Sequence, residues 1–152
     1  MKTKRLFVIA LLTAITSLGL SAQNTWREKG YRFDVSLSFT LNDQWEAATS
    51  HGYAFGNGLF LGGGAAFHYD AAAKNYMTPV YGVVRYSPLK YIVSPYIETK
   101  CGAVVNISQN VKTGFYVNPS IGVDIWHLSI FGGYEVNTGF HNGWKFGLAV
   151  HF

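Results

Sequence analysis

Cysteine, proline and charge are scarce in this chain, and each shortage narrows what it can be. Cys101 is the only cysteine among 152 residues, so no intramolecular disulfide can form. Charged residues make up only 13% of the chain. The excess of base is also shallow. Of 12 basic residues, Lys2, Lys4 and Arg5 fall within the first 22, leaving nine against eight acidic ones. The basic character is thus mostly a property of the N-terminus, and a nucleic-acid partner is not expected. Beyond residue 22 no apolar run approaches the ~20 residues of a membrane helix, and no useful stretch has helical periodicity.

The N-terminus accounts for its own composition. After the positive residues, Leu6 to Leu20 is apolar apart from Thr13, Thr16 and Ser17, and Ser21-Ala22 offers small residues before Gln23. This is the pattern of a cleaved secretory signal peptide over residues 1–22. No cysteine lies near the cleavage point to carry a lipid anchor. Residues 23–152 then form one domain of about 130 residues.

What the chain does have is alternation. In Trp144–Phe152, Trp144, Phe146, Leu148, Val150 and Phe152 alternate strictly with Lys145, Gly147, Ala149 and His151. A period of two puts one set on each face of a strand. Seven earlier segments share the pattern: Tyr31–Leu41, about Ala48–Phe55, Leu59–Tyr69, about Tyr76–Tyr86, Pro95–Ile107, Gly114–Ile125 and Leu128–Val136. Each approaches the ~9–11 residues a tilted strand needs to cross a bilayer. One face is apolar, and the other carries the charges together with small Gly and Ser. A soluble lipocalin-like barrel needs the inverse, an apolar interior and a charged exterior. The expected fold is all-β, an eight-stranded antiparallel up-and-down transmembrane β-barrel with a narrow, filled lumen.

With both ends periplasmic, turns at 56–58, 87–94 and 126–127 face the periplasm. Loops at 42–47, 70–75, 108–113 and 137–143 face outward. Aromatics gather at the strand ends in two girdles. Tyr31, Phe55, Tyr86, Trp126 and Phe152 form the inner one, and Tyr69, Tyr76, Phe115, Tyr134 and Trp144 the outer one.

Four pieces carry a resemblance: Trp144–Phe152, Gly114-Phe-Tyr-Val-Asn-Pro-Ser-Ile-Gly-Val123, Leu59-Phe-Leu-Gly-Gly-Gly64 and Pro79-Val-Tyr-Gly-Val-Val-Arg85. From about residue 30 the chain resembles the small eight-stranded outer-membrane β-barrel proteins of Gram-negative bacteria, the OmpA/OmpX-like class. The resemblance implies an outer-membrane location, contact with membrane lipid and lipopolysaccharide, and a monomer. It also implies that Phe152 serves as the terminal signal to the barrel-assembly machinery. It supplies no general catalytic motif.

The lumen face concentrates Arg32, Asp34, Arg85, Glu98, Lys100, Asp124, Glu135 and Lys145. Hairpin arithmetic sets Arg85 opposite Glu98 and Glu135 opposite Lys145, with Asp124 near Glu98 and Lys100. Buried charges persist when paired, so the periplasmic half, three basic against three acidic, is expected to plug the lumen. Some barrels of this size are lipid A acyltransferases or deacylases using His with Ser and an acid. Here no such set converges on one face near the outer leaflet, and no catalytic residue is expected. The five histidines show no metal-ligand spacing, so no metal or other cofactor is expected either. Gly62-Gly63-Gly64 lies within a strand with no helix after it, which excludes a phosphate loop. The short outer loops offer little adhesive surface. The reading is a structural or interaction role without enzymatic activity. A narrow, porin-like channel or small hydrophobic-ligand transporter is the alternative, with Pro79, Tyr81 and Pro119 marking places where the wall could break, and a lipid-modifying enzyme comes third.

Overall fold

The computed structural model describes residues 29–71, 74–89, 91–106, 114–138 and 142–152. The expected signal peptide and cleavage site, and the loop expected at 108–113, lie outside them, as does the middle of the loop expected at 137–143. Eight strands follow one another: β1 (Gly30–Thr40), β2 (Gln44–Ala54), β3 (Leu59–Asp70), β4 (Asn75–Tyr86), β5 (Val93–Asn106), β6 (Gly114–Ile125), β7 (Leu128–Asn137) and β8 (Gly143–His151). Each pairs antiparallel with its neighbour, and β8 returns to β1, so the sheet closes and leaves no edge. Closure extends past β8. Phe152 and Phe33 exchange backbone hydrogen bonds of 3.2 and 2.9 Å, and their rings stack at 4.8 Å.

Alternation decides which side chain meets what. In β1 Val35, Leu37 and Phe39 are exposed while Asp34, Ser36, Ser38 and Thr40 are buried. The same holds in β8, where Trp144, Phe146 and Leu148 point out and Lys145 and His151 point in. Inside, large and small residues interlock. The rings of Phe60, Tyr81, Tyr96 and Phe131 occupy the space that a Cβ on Gly52, Gly64, Gly122 and Gly147 would need. Eight strands enclose just enough room for side chains to fill, which is why this glycine-rich face suits the interior.

We call the end bearing residues 29 and 152 the terminal end, and the opposite end distal. At the terminal end Gly56-Asn57-Gly58 turns β2 into β3 with φ of 77° at Gly56 and 90° at Gly58. The space beside Gly58 is closed by the Ser87 carbonyl, 2.1 Å from where a Cβ would sit, so only glycine fits.

The strands differ from the sequence reading mainly at β2. It begins at Gln44, so the expected loop at 42–47 shrinks to residues 41–43, and Trp45 turns outward while Glu46 turns inward. The 87–94 turn also shortens, because β5 starts at Val93. Two prolines interrupt the wall without shifting its register. Between β3 and β4 pairing stops after Ala65↔Val80 and resumes at His68↔Met77, across Pro79. Between β6 and β7 it stops after Val117↔Val136 and resumes at Ser120↔Gly133, across Pro119. A proline has no N–H to give the ladder.

Candidate functional site

The lumen holds the polar chemistry, in two tiers. In the terminal tier, register places Arg85 opposite Glu98 and Asp34 between Ser50 and His151. Arg85 reaches across the lumen. Its Nη2 donates to Asp124 Oδ1 and to Ser129 Oγ, its Nη1 lies 3.7 Å from Glu98 Oε2, and its Cζ sits 3.6 Å from the Tyr96 ring centroid. Lys100 Nζ stands 3.5 Å from Glu98 Oε1 and 5.2 Å from the centroid of Tyr81. A guanidinium taken out of water keeps its charge when carboxylates and an aromatic face replace its hydration. Arg32 is half-buried at the mouth of this tier.

Asp124 requires a correction. It faces Ser94 on β5 rather than Glu98 or Lys100, because the β5–β6 register pairs Glu98 with Ser120. Its partner is Arg85, from β4, reached across the lumen rather than along the sheet.

Asp124, Ser129 and His151 also converge here, near the terminal end. Ser129 Oγ bonds both Asp124 Oδ1 and His151 Nε2. In a nucleophilic triad the acid holds the imidazole by its other nitrogen. Here acid and serine crowd the same Nε2, with Asp124 Oδ1 3.6 Å from it, and Ser129 is completely buried. The three side chains come from β6, β7 and β8 and so tie neighbouring strands together. A cavity of about 50 Å³ lies beside them, lined by Arg32, Phe60, Arg85, Ser87, Leu89 and His151. That volume takes a few waters, far short of the ~300–1,000 Å³ of ligand pockets.

The distal tier is built around Lys145. The expected Glu135–Lys145 contact exists, but not by direct opposition. Glu135 faces Gly143 and Lys145 faces Gly133, two residues out of the expected register. The side chains meet on the diagonal, Lys145 Nζ to Glu135 Oε2 at 2.8 Å. Lys145 also lies 2.6 Å from Glu46 Oε1 and donates to the Tyr116 hydroxyl at 3.2 Å. His68, directly opposite Glu46 in the β2–β3 ladder, brings Nδ1 to 3.4 Å from Glu46 Oε2 and 3.7 Å from Glu135 Oε1. Toward the distal mouth, Gln44 Nε2 donates to Asp70 Oδ2 at 3.1 Å.

Glu46, His68, Asp70 and Tyr116 were absent from the expected network. The signal was available for Glu46 and His68. Extending the second strand by four residues at the same register puts them face to face. The expected girdle residues sit on the outside: Tyr31, Tyr86 and Trp126 near the terminal end, and Tyr76, Phe115, Tyr134 and Trp144 near the distal end, all exposed, with Tyr69 partly covered. Tyr69 stacks on Tyr76 at 4.9 Å, and Tyr134 meets the edge of Trp144 at 5.4 Å.

An apolar outside, ringed at both ends by aromatics, around a polar filled inside is the arrangement of a barrel made for lipid. Known structures share the fold. A de novo designed transmembrane β-barrel superposes with a TM-score of 0.50 at 14% identity, over 80% of this chain and 94% of that one. This is a transmembrane β-barrel fold. The crystal structure of the N-terminal β-barrel domain of Pseudomonas aeruginosa OprF matches with a TM-score of 0.53 at 10% identity, over 82% of this chain and all of that domain. No family model matches the sequence, and no curated protein is significantly similar to it. The barrel's likeness therefore lies in architecture, which identities this low do not extend to activity.

Proposed function

We propose that this barrel is an integral outer-membrane protein with a structural or interaction role, that its lumen is plugged against ions, and that it catalyses no reaction. The observation that carries this is the filled interior. Arg85, Lys100 and Lys145 are each at most 5% exposed, and every one has a carboxylate within 3.7 Å. An ion entering would have to part these pairs in a low-dielectric space, at a cost of several kcal/mol. The outer wall supports membrane insertion. Leu37, Leu148 and Ile121 are 53%, 52% and 68% exposed, surface that water would penalise and hydrocarbon accepts. With the termini periplasmic, the distal mouth faces the cell exterior. Lipid and lipopolysaccharide then surround the wall, and Phe152, locked to Phe33, completes the last strand that the assembly machinery must close.

Planar-bilayer recordings of the purified barrel test the plug. We expect no stable conductance from the wild type, and well-resolved channels from it would sink the reading. Insertion has its own test in a heat-modifiable gel shift after refolding into lipid. Lateral transport of a small hydrophobic ligand is favoured by the two ladder gaps at Pro79 and Pro119. Both gaps, however, back onto filled lumen, His68 and Met77 behind one and Glu135 behind the other, all fully buried. Neither leads to an apolar chamber.

A further inference from the structure

We propose that the distal half of the lumen binds one divalent transition-metal ion, such as Zn²⁺, through Glu46, His68 and Glu135.

The geometry comes first. One ligand atom from each residue can be chosen so that all three lie within 4.8 Å of one another. Two of the edges are known: His68 Nδ1 is 3.4 Å from Glu46 Oε2 and 3.7 Å from Glu135 Oε1. Ligands about 2.1 Å from a tetrahedral zinc stand about 3.4 Å apart, so these two edges already match an ion's ligand spacing to within a few tenths of an ångström. The three side chains come from β2, β3 and β7, which the closed sheet holds in place. Donors from different strands leave no trace in the linear spacing of histidines.

Lys145 helps rather than competes. Its ammonium grips the opposite oxygens, Glu46 Oε1 and Glu135 Oε2, at 2.6 and 2.8 Å. The two carboxylates are thereby fixed with their remaining oxygens turned toward His68, as outer-shell partners orient ligands in metal sites.

Independent of that geometry, an acceptor is left over. Glu135 is 1% exposed, and its Oε1, the atom facing His68, has no hydrogen-bond partner among the described residues. Gln44 Oε1, further toward the distal mouth and equally buried, has none either. Buried acceptors without donors are rare and call for a cation or a donor.

Charge points the same way. Among the described residues the cluster sets two buried carboxylates, Glu46 and Glu135, against one permanent cation, Lys145. A divalent ion offsets that excess. The terminal tier has no such excess, since Asp34, Glu98 and Asp124 face Arg85 and Lys100 inside and Arg32 at the mouth. One imidazole nitrogen with two carboxylate oxygens favours zinc and its neighbours over calcium or magnesium, which prefer all-oxygen sites. Binding requires the neutral imidazole, so any proton on His68 Nδ1 leaves as the ion enters.

The test is calorimetric titration of Zn²⁺ into the chelator-treated, detergent-purified full barrel, with X-ray absorption at the zinc edge to read the ligands. We expect about one equivalent bound, with nitrogen and oxygen in the first shell. His68→Gln and Glu135→Gln should each weaken binding by at least about tenfold. His51→Gln, on the outer wall, should change nothing, which separates the site from adventitious surface zinc. Glu135→Gln keeps the shape of the side chain, so it carries the test should His68→Gln fail to fold. Wild-type affinity poorer than about 1 mM, or affinity unchanged by the folded variants, overturns the proposal.

Discussion

At the scale of single residues, the barrel depends on cations that cannot be removed alone. Arg85 is the clearest case, serving Asp124, Glu98 and Ser129 at once while lying on the Tyr96 ring. Arg85→Met keeps the bulk, takes from buried Asp124 the guanidinium it bonds and leaves Glu98 only Lys100, a loss of about 3–5 kcal/mol. Urea unfolding in lipid vesicles, followed by tryptophan fluorescence, should record it. The double variant Arg85→Met/Asp124→Asn should regain a large part, because the charge left stranded is what costs most. Arg85 and Glu98 were legible in advance, since their hairpin is centred where the alternation says it is. Glu46 was not. Its neighbours Ala47 and Ala48 fit either face of a strand or a loop, so the segment carried too little contrast to be read as β2.

Among strands, the spacing of the wall is fixed by glycine. A Cβ on Gly102 would sit 2.0 Å from the Val80 carbonyl oxygen and 2.6 Å from the Tyr81 Cα. Both are backbone atoms, so no rotamer change relieves the clash and β4 and β5 must part. Gly102→Ala should cost at least about 1–3 kcal/mol. Gly82→Ala is the control. Its nearest atoms are 3.8 and 3.9 Å away, and its effect should stay within about 0.5 kcal/mol in the same unfolding assay. Strand existence and facing followed from the period of two, and most ends from Gly, Asn and Pro. Register across β7–β8 did not, because the turn that sets it carries no residue pair that fixes its centre. The Pro119 gap was foreseeable from a missing N–H, whereas its placement beside Glu135 depends on the β6–β7 register.

For the molecule as a whole, closure was legible and charge distribution was not. Eight alternating segments with an even count imply an up-and-down barrel, and the sheet closes β8 on β1 in that order. A balanced group of charges in the periplasmic half and a separate Glu135–Lys145 pair were expected. Around that pair the molecule adds Glu46 and His68, which came into view only when β2 gained Glu46. Cys101 adds a consequence of its own. It sits on the outer wall, opposite Gly82 on one side and Val117 on the other, with its side chain exposed. In the inserted barrel that thiol is dissolved in acyl chains. A charged maleimide should fail to label it in the inserted barrel and should label the urea-unfolded chain. The native sequence therefore contains its own depth gauge. Water-borne thiol reagents therefore distinguish the chain before insertion from the chain after it.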